Sequence, residues 1–292
     1  MNDLTGKTVL VTGATSGIGL EASVELAKLG ATLVMVGRDP AKTQAKVDEV
    51  KQRAGSQKVS SLLCDFASQA QIRGLAADFR AAHARLDVLV NDAGTAFSKR
   101  TLTADGIEAT FAVDHLAYFL LTNLLLDLIV KSAPARIVNV ASSEHKEGTM
   151  DFADLGFAQG YSTVRAYGRA KLGNVLFTLE LARRLAGKGV TVNALHPGAV
   201  ATKIWSLGPA WTTLVGKLVR PFLTPASEGG RRLAYLAASP EVEGKSGLYF
   251  DAYKPRPPAA LALDTALARR LWDESEKLTH QDGAKEAVAG AA

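Results

Sequence analysis

The chain is poor in several features that would point to particular classes of protein. Its single cysteine, Cys64, excludes an internal disulfide and a cysteine-based zinc cluster. One thiol after a predicted strand is typical of a reducing compartment, and we expect the cytoplasm. The net charge of +5 is small, and the Lys and Arg residues are scattered among acids. Nucleic-acid-binding proteins usually carry a basic stripe, so we expect no nucleic-acid partner.

Long apolar runs, metal-ligand motifs and a hydrolase motif are missing too. The most apolar stretch, 116–130, contains Asn123 and Asp127 and is shorter than the ~20 residues of a membrane-spanning helix. Residues 1–7 lack the basic-then-apolar layout of a signal peptide. The five histidines form no ligand-spaced pair, so we expect no metal site. The Gly-x-Ser-x-Gly turn of many serine hydrolases is absent.

Short apolar runs alternate with longer helical patterns along most of the chain. Strands are predicted at 8–11, 32–36, 59–63, 86–90, 136–140, 190–195 and 247–250. Helices are predicted at 18–29, 41–53, 69–83, 105–131, 162–186 and 227–238. This alternation predicts an α/β fold, a single Rossmann-type doubly wound parallel sheet flanked by helices. We expect one domain over 1–282 and a flexible tail at 283–292.

A glycine-rich turn joins the first predicted strand to the first predicted helix. Glycines there allow positive φ and a close approach of the backbone to a pyrophosphate, which the helix N-terminus also favours. The alternative is a tight turn that binds nothing. If a dinucleotide binds here, the expected contacts are Gly13, Thr15, Ser16, Gly17, Ile18 and Gly19.

The end of the second strand indicates which dinucleotide is preferred. NAD-binding proteins usually place an acid there for the ribose hydroxyls. This chain has Gly37 and Arg38, and a guanidinium suits a 2′-phosphate. Asp39 precedes Pro40 and is better explained as a helix cap. We therefore expect NADP(H), the alternative being that Arg38 only solvates a loop.

Tyr167 and Lys171 lie four residues apart, on one face of a predicted helix. A phenol titrates near 10, which is too high for efficient proton exchange at neutral pH. A neighbouring cation, joined by the positive charge of an oxidised nicotinamide, favours the phenolate and lowers its pKa. Tyr167 could then act as general acid and base at a carbonyl or alcohol oxygen. Such a pair also arises by chance, so its weight depends on the other motifs.

Further motifs occur in a fixed order with these. They are the turn Thr12 to Gly19, Asp65 after the third strand, Asn91-Asp92-Ala93-Gly94 after the fourth, Ser142 after the fifth, Tyr167-x-x-x-Lys171, and His196-Pro197-Gly198 with Thr202 after the sixth. With these motifs the chain resembles the short-chain dehydrogenase/reductase family over nearly its whole length. The stretches 166–185 and 224–250 are most similar to its retinol-dehydrogenase-like group, which includes proteins similar to WW-domain oxidoreductase.

The resemblance implies a role for each matching residue. Ser142 would hydrogen-bond the substrate oxygen, Tyr167 would be the general acid and base, and Lys171 would lower the pKa of Tyr167 and bind the nicotinamide ribose. The remaining cofactor contacts that it implies are Asp65, Phe66, Asn91, Ala93, Gly94, Pro197, Gly198, Val200 and Thr202.

Two residues depart from the family pattern. The fourth catalytic position, asparagine in the family, is Asp114 here, and Asp92 replaces a second asparagine. A carboxylate cannot donate hydrogen bonds, and its charge near Lys171 would offset the effect of the lysine on Tyr167. Our hypothesis is a working but slowed NADP(H)-dependent oxidoreductase. The alternative is a non-catalytic NADP(H)-binding regulatory protein.

The substrate is the least determined part of the prediction. The apolar segment 203–224 is expected to cover the site and to favour a lipophilic ketone, aldehyde or alcohol, the alternative being a simple packing loop. The predicted helices around 116–130 and 172–185 could form a subunit interface or belong to the core. A homo-oligomer is therefore left open.

Overall fold

The computed structural model describes residues 1–199 and 224–279. Its strands are β1 (Thr8–Val11), β2 (Thr32–Gly37), β3 (Val59–Leu63), β4 (Val88–Asn91), β5 (Ala135–Val140), β6 (Val190–His196), β7 (Leu248–Asp251) and β8 (Lys254–Arg256). Its α-helices are α1 (Gly17–Lys28), α2 (Pro40–Ala54), α3 (Gln69–Ala82), α4 (Ala109–Phe111), α5 (Ala117–Leu124), α6 (Leu126–Lys131), α7 (Thr163–Arg184), α8 (Ala226–Ala238) and α9 (Thr265–Leu278). A π-helical segment (Ala112–Leu116) joins α4 to α5, and a 3₁₀ turn (Ser143–Glu147) follows β5.

The strands form one sheet in the order β3-β2-β1-β4-β5-β6-β7-β8. Pairing is parallel from β3 to β7, and β8 adds an antiparallel edge to β7. This confirms the predicted doubly wound sheet. The strand order reverses between β1 and β4, and ligands of such sheets bind in the crevice outside the carboxyl ends at that point.

Alternating side chains of each strand point to opposite faces and build two cores. In β1, Val9 and Val11 pack under α1, α2 and α8, whereas Leu10 packs with residues of α3, α5 and α7 on the other face. Each buried Val or Leu contributes about 1.5–3 kcal/mol to folding. The sheet is therefore a rigid support for the loops at its carboxyl edge.

Local sequence signals explain where α2 begins and ends. Asp39 accepts a hydrogen bond from the Lys42 N–H at 2.7 Å, and Pro40 occupies the first helical position. Gly55 ends the helix in the left-handed conformation, with φ of 65°. The prediction that Asp39 is a helix cap is thus confirmed.

The long helix predicted at 105–131 was wrong in its extent. Gly106 has φ of 76° and lies in a turn, so helical structure begins only at Ala109, and it is interrupted at Leu125. The helix Thr265–Leu278 was not predicted, although Asp264 caps it through the N–H groups of Ala266 and Leu267. Its buried residues Ala268, Leu271, Trp272 and Ser275 recur at helical spacing, so this helix did leave a sequence signal, which was overlooked.

The apolar stretch 116–130 belongs to the interior of this chain. Leu120, Leu121 and Leu125 are fully buried in the core below α3. None of the helices within the described ranges combines the length and apolar character of a membrane crossing. A cavity of about 950 Å³ lies at the amino-terminal ends of the strands, opposite the crevice at their carboxyl ends, and is lined by residues such as Leu4 and Val88.

Candidate active site

The glycine-rich turn forms a cradle between β1 and α1. Gly13 and Gly17 have φ of 67° and 56°. A Cβ on Gly13 would lie 2.9 Å from the backbone of Ala93, and one on Gly19 would lie 2.5 Å from Oδ2 of Asp92. Larger residues would therefore close the space between the ends of β1 and β4.

The first turn of α1 leaves hydrogen-bond donors available. Its N-cap, Ser16, is extended and its side chain makes no capping bond. The first N–H groups of a helix have no partner within the helix, and with the helix dipole they bind phosphate. The residues of this turn therefore fit the pyrophosphate of a dinucleotide.

The predicted adenine end lies at the carboxyl ends of β2 and β3. Arg38 is 76% exposed, and its Nη1 lies 3.9 Å from Oδ2 of Asp65. A Cβ on Gly37 would lie 2.6 Å from Cγ2 of Thr15 and closer still to Oγ1 of Thr43. Any side chain at 37 is thus excluded unless its neighbours move, so an acid has no room there.

The side chains of two predicted cofactor contacts, Phe66 and Asn91, are buried inside the protein. The ring of Phe66 is 9% exposed and packs in the core, which leaves its backbone for the predicted adenine contact. Asn91 is fully buried, and its Nδ2 donates to Asn139 Oδ1 at 2.8 Å and to Thr122 Oγ1 at 3.1 Å. Its side chain ties β4 to β5 and α5. The predicted cofactor contact at Asn91 would therefore be made by its backbone at the carboxyl end of β4, and it stays a prediction.

Tyr167 and Lys171 are brought together with Ser142 at the carboxyl ends of β5 and β6. Nζ of Lys171 lies 5.2 Å from the ring centroid of Tyr167 and 3.4 Å from the carbonyl oxygen of Val140. Tyr167 is 9% exposed, Ser142 7% and Lys171 2%. The three residues that were predicted from the motifs therefore form one largely buried group.

Asp114 lies on the π-helical segment and contacts Lys171 directly. Its Oδ2 is 3.2 Å from Nζ of Lys171, and its Oδ1 accepts the N–H of Thr95 at 2.7 Å. Within this segment, the consecutive residues Asp114 and His115 both face α7, where His115 Nδ1 lies 3.3 Å from Asn174 Oδ1. Single π-helical turns frequently occur at functional sites.

The charges of this cluster shift one another's proton affinities. Burial raises the pKa of Asp114 to about 6, although Lys171 lowers it. Burial also raises the pKa of Asp92 to about 7, although the charge of Lys171 and a hydrogen bond from the N–H of Gly19 lower it. Burial opposes the charge of Lys171, but Asp114, Tyr118 and Tyr167 raise its pKa above the ordinary value. Lys171 is therefore a permanent cation.

The pKa of Tyr167 does not follow the simple expectation from its lysine. Burial raises it, Lys171 lowers it, and Asp114 raises it again, so that the net shift in the protein alone is upward. The lysine acts in the expected direction, but burial and the carboxylate outweigh it. The expected net lowering thus depends on further positive charge in the site.

Asn174 is a residue of the site that the sequence reasoning missed. Its Nδ2 donates to the carbonyl oxygens of Asp114 at 2.8 Å and Val140 at 3.1 Å. It therefore fixes the backbone of the π-helical segment and of β5 to α7. The signal was its spacing, because Asn174 follows Lys171 by three residues and lies on the same helix face.

Glu144 was missed as well. The hydroxyl of Ser142 donates to Oε2 of Glu144, and Ser143 Oγ donates to the same oxygen at 3.1 Å. The only sequence signal was its position two residues after Ser142. The turn Ser143–Glu147 brings the side chains of Ser142 and Glu144 into contact.

The predicted nicotinamide end is partly described. Gly198 has φ of 96°, and Arg232 Nη1 donates to the carbonyl oxygen of Pro197 at 2.9 Å. The predicted contacts Val200 and Thr202 lie outside the described residues, as do 203–223 of the expected substrate-covering segment and the tail 283–292. Among the residues that the structure describes, no group of three His, Cys, Asp or Glu residues could hold a metal ion.

Comparisons with known proteins agree with this geometry. The family described as short chain dehydrogenase matches residues 7–211. Retinol dehydrogenase 14 of Mus musculus is 43% identical over 290 residues, covering 93% of this chain and 85% of that protein. WW domain-containing oxidoreductase of Homo sapiens is 38% identical over 289 residues, covering 96% of this chain and 69% of that protein.

A solved structure shows the same architecture. The crystal structure of an uncharacterized protein from Mycobacterium paratuberculosis superimposes with a TM-score of 0.78. Its sequence is 31% identical to this one, and the match covers 96% of each chain. The retinol-dehydrogenase-like resemblance that the motifs indicated is thereby confirmed. This chain is a member of the short-chain dehydrogenase/reductase family of oxidoreductases, which use a nicotinamide cofactor.

Proposed function

We propose that the protein is an NADP(H)-dependent carbonyl reductase or alcohol dehydrogenase acting on a lipophilic ketone, aldehyde or alcohol. The observation that carries this proposal is the convergence of Tyr167, Lys171 and Ser142 at the carboxyl edge of the sheet, beside the glycine cradle. The retinol named in the relatives is itself a lipophilic alcohol.

The reacting residues have separate roles in this mechanism. Bound nicotinamide supplies the hydride chemistry. Tyr167 donates its phenolic proton to the carbonyl oxygen during reduction and accepts the proton of the alcohol during oxidation. Lys171 stabilises the phenolate through its charge, and Ser142 hydrogen-bonds the same substrate oxygen. Positioned proton transfer of this kind contributes about 10²–10⁴-fold to the rate.

The preference for NADP(H) is inferred from the end of β2. Arg38 is 76% exposed and its nearest acid, Asp65, is 3.9 Å away, so its guanidinium is accessible to a 2′-phosphate. The acid that NAD requires has no space at Gly37, where a Cβ would lie 2.6 Å from Thr15 Cγ2. Charge and shape at this position therefore favour the phosphorylated cofactor.

A titration with NADPH and NADH, followed by NADPH oxidation over a panel of ketones and aldehydes, tests this proposal. We expect tight NADPH binding and turnover. Arg38→Ala should weaken NADPH binding by about tenfold to a hundredfold, since a hydrogen bond to a charged group is lost. It should leave NADH binding within about twofold.

Lys58→Ala is the matched control, because Lys58 is an exposed cation that precedes β3 at the opposite edge of the sheet. It should change neither affinity. An equal loss of NADPH and NADH affinity in Arg38→Ala would contradict recognition of the 2′-phosphate.

The ion pair of Asp114 with Lys171 favours a second candidate function, a non-catalytic NADP(H)-binding regulatory protein. The carboxylate at 3.2 Å opposes the action of the lysine on Tyr167. This candidate predicts NADPH binding without turnover of any panel compound in the wild type. Turnover that appears in Asp114→Asn would identify the carboxylate as the cause. Reduction of any carbonyl compound by the wild type eliminates this candidate.

A further inference from the structure

Glu144 places a carboxylate directly beside the serine that would hold the substrate oxygen. Its Oε2 accepts the hydroxyl of Ser142 and, at 3.1 Å, that of Ser143. Within the described part of the chain, Oε1 of Glu144 has no hydrogen-bond donor from another side chain, and Glu144 is half-buried. The backbone N–H of Glu144 also bonds its own carboxylate. Oε2 is thus occupied by two hydroxyl groups, whereas no other side chain of the described residues occupies Oε1.

The turn that carries Glu144 is held by two neighbouring elements and by one internal contact. The N–H of Ser143 donates to His196 Nδ1 at 3.2 Å, and His145 Nδ1 lies 2.6 Å from the carbonyl oxygen of Ser142. On α7, a Cβ on Gly168 would lie 3.0 Å from the carbonyl oxygen of Glu144. The backbone of Glu144 is therefore fixed next to the residue that follows Tyr167.

Glu144 carries its charge at neutral pH. Burial would raise its pKa, but hydrogen bonds from Ser142 and Ser143 and the nearby His196 hold it below the ordinary value. The other charged group of the same turn close to His196 is Lys146, which is exposed. The substrate end of the site therefore contains a negative charge within one hydrogen bond of Ser142.

This contact has a chemical consequence for Ser142. A hydroxyl has one proton to donate and two lone pairs to accept with. While Ser142 donates to Glu144, it cannot also donate to a substrate carbonyl oxygen. A substrate that supplies its own donor to Glu144 releases the proton of Ser142 for that oxygen.

We propose that Glu144 determines substrate specificity, by selecting carbonyl compounds that carry a hydroxyl group on the adjacent carbon and by excluding those that carry a carboxylate there. In the reverse direction the selected substrates are vicinal diols. The α-hydroxyl donates to Glu144, Ser142 then donates to the carbonyl oxygen, and Tyr167 supplies the proton. The proposal rests on the oxidoreductase function proposed above and narrows its substrate class.

Three ketones of one skeleton test this proposal: acetophenone, 2-hydroxyacetophenone and phenylglyoxylate. They place a methyl group, a hydroxymethyl group and a carboxylate beside the same carbonyl. With NADPH, the wild type should have the highest kcat/KM for 2-hydroxyacetophenone and the lowest for phenylglyoxylate. Glu144→Gln should raise the kcat/KM for phenylglyoxylate relative to that for acetophenone by at least about tenfold, since the charge of Glu144 repels a carboxylate bound beside Ser142. It should also reduce the advantage of 2-hydroxyacetophenone.

Two further variants separate this role from a structural one. Glu147→Gln removes an exposed carboxylate from the same turn and should leave all three ratios unchanged. Glu144→Asp keeps the charge and should keep phenylglyoxylate excluded. Ratios that stay within about twofold in Glu144→Gln, or that change equally in Glu147→Gln, overturn the proposal.

A binding measurement keeps the two proposals distinguishable. Equilibrium dialysis of the three compounds against NADP⁺-saturated wild type and Glu144→Gln requires no turnover. If no ketone is reduced, the oxidoreductase proposal fails, whereas a carboxylate-specific gain in binding by Glu144→Gln still supports selection by Glu144. If the ketones are reduced but the binding preferences of wild type and variant are equal, the selection by Glu144 is wrong and the oxidoreductase proposal stands.

Discussion

The two ends of the crevice at the carboxyl edge of the sheet use charge in opposite ways. At the adenine end, Arg38 and Asp65 are exposed and 3.9 Å apart. At the catalytic end, Lys171 and Asp114 are 2% and 0% exposed and 3.2 Å apart. An exposed pair contributes about 0–1 kcal/mol, whereas a buried pair balances a large desolvation penalty against a strong attraction.

The comparison shows which parts of the site can change independently. We expect a substitution at Arg38 to alter recognition of the proposed 2′-phosphate and little else, because water screens its charge. A substitution at Asp114 alters the pKa of Lys171 and of Tyr167 together, because all three groups share one buried region. We therefore expect cofactor choice to depend on one isolated residue and proton transfer to depend on a coupled group.

The largest effect is expected from removing the proton donor at the buried end. Tyr167→Phe should reduce kcat by about 10³-fold, because the general acid and base is lost. NADPH affinity should change by less than about threefold, since the adenine end is untouched. Steady-state turnover and cofactor titration measure the two. Tyr235→Phe removes a hydroxyl that bonds Glu241 on the surface and is the control; turnover retained in Tyr167→Phe would contradict the assignment.

At the adenine end of the crevice, Gly37 is packed so tightly that a larger residue would overlap its neighbours. Gly37→Ala should lower the free energy of unfolding by about 2 kcal/mol, because the methyl group overlaps Thr15 and Thr43. Gly74→Ala is the control, since Gly74 lies in α3 and a Cβ there would meet no atom within 4 Å. It should raise the stability by about 0.4–1 kcal/mol. Urea unfolding distinguishes the two, and equal effects would show that the packing around Gly37 can adapt.

Asp92 tests how unfavourable charge is at the buried end. Its pKa is raised to about 7 in the folded protein, so its ionised form is disfavoured there. Asp92→Asn should therefore raise the free energy of unfolding by about 2 kcal/mol at pH 8. The gain should shrink as the pH falls through 7 and vanish near pH 4, where Asp92 becomes protonated in both states. A gain that is independent of pH would mean that packing, rather than charge, is its cause.

The smallest of these effects, and the one most specific to the coupled group, is expected from Asp114→Asn. Loss of the carboxylate removes a contribution that raises the pKa of Tyr167, so alcohol oxidation at pH 7 should become about tenfold faster. The pKa of Asp114 is about 6, and the rates of wild type and variant should converge below that pH. Rates of alcohol oxidation from pH 5 to 9 measure this. Superimposable profiles would refute the hypothesis that Asp114 slows the enzyme.

The fold was predicted well where local patterns carry it. The apolar runs of β1 to β7 and the cap at Asp39 were recognised because strand burial and helix capping leave signals a few residues long. The helix Thr265–Leu278 was overlooked although its cap at Asp264 and its buried face are local signals of the same kind. The interruption at Leu125 has no such local signal. The side-chain partners of Asn91, which lie on β5 and α5, could not be predicted because they are far apart in the sequence.

By itself, the sequence determined which segments form the parallel strands, the glycine turn, and the identity of Tyr167, Lys171, Ser142 and Asp114 as a candidate group. Spacing was sufficient for Tyr167 and Lys171, which share a helix face, and Ser142 follows a strand. Asp114 entered the group through the resemblance of its motif to the family pattern. Only the tertiary structure decided that Asp114 pairs with Lys171, that Asn174 donates to the backbone carbonyl of Asp114, and that Glu144 accepts the hydrogen bond of the Ser142 hydroxyl. The partners in these contacts are chosen by packing and by the path of a turn, neither of which leaves a local signal, and burial then sets their proton affinities.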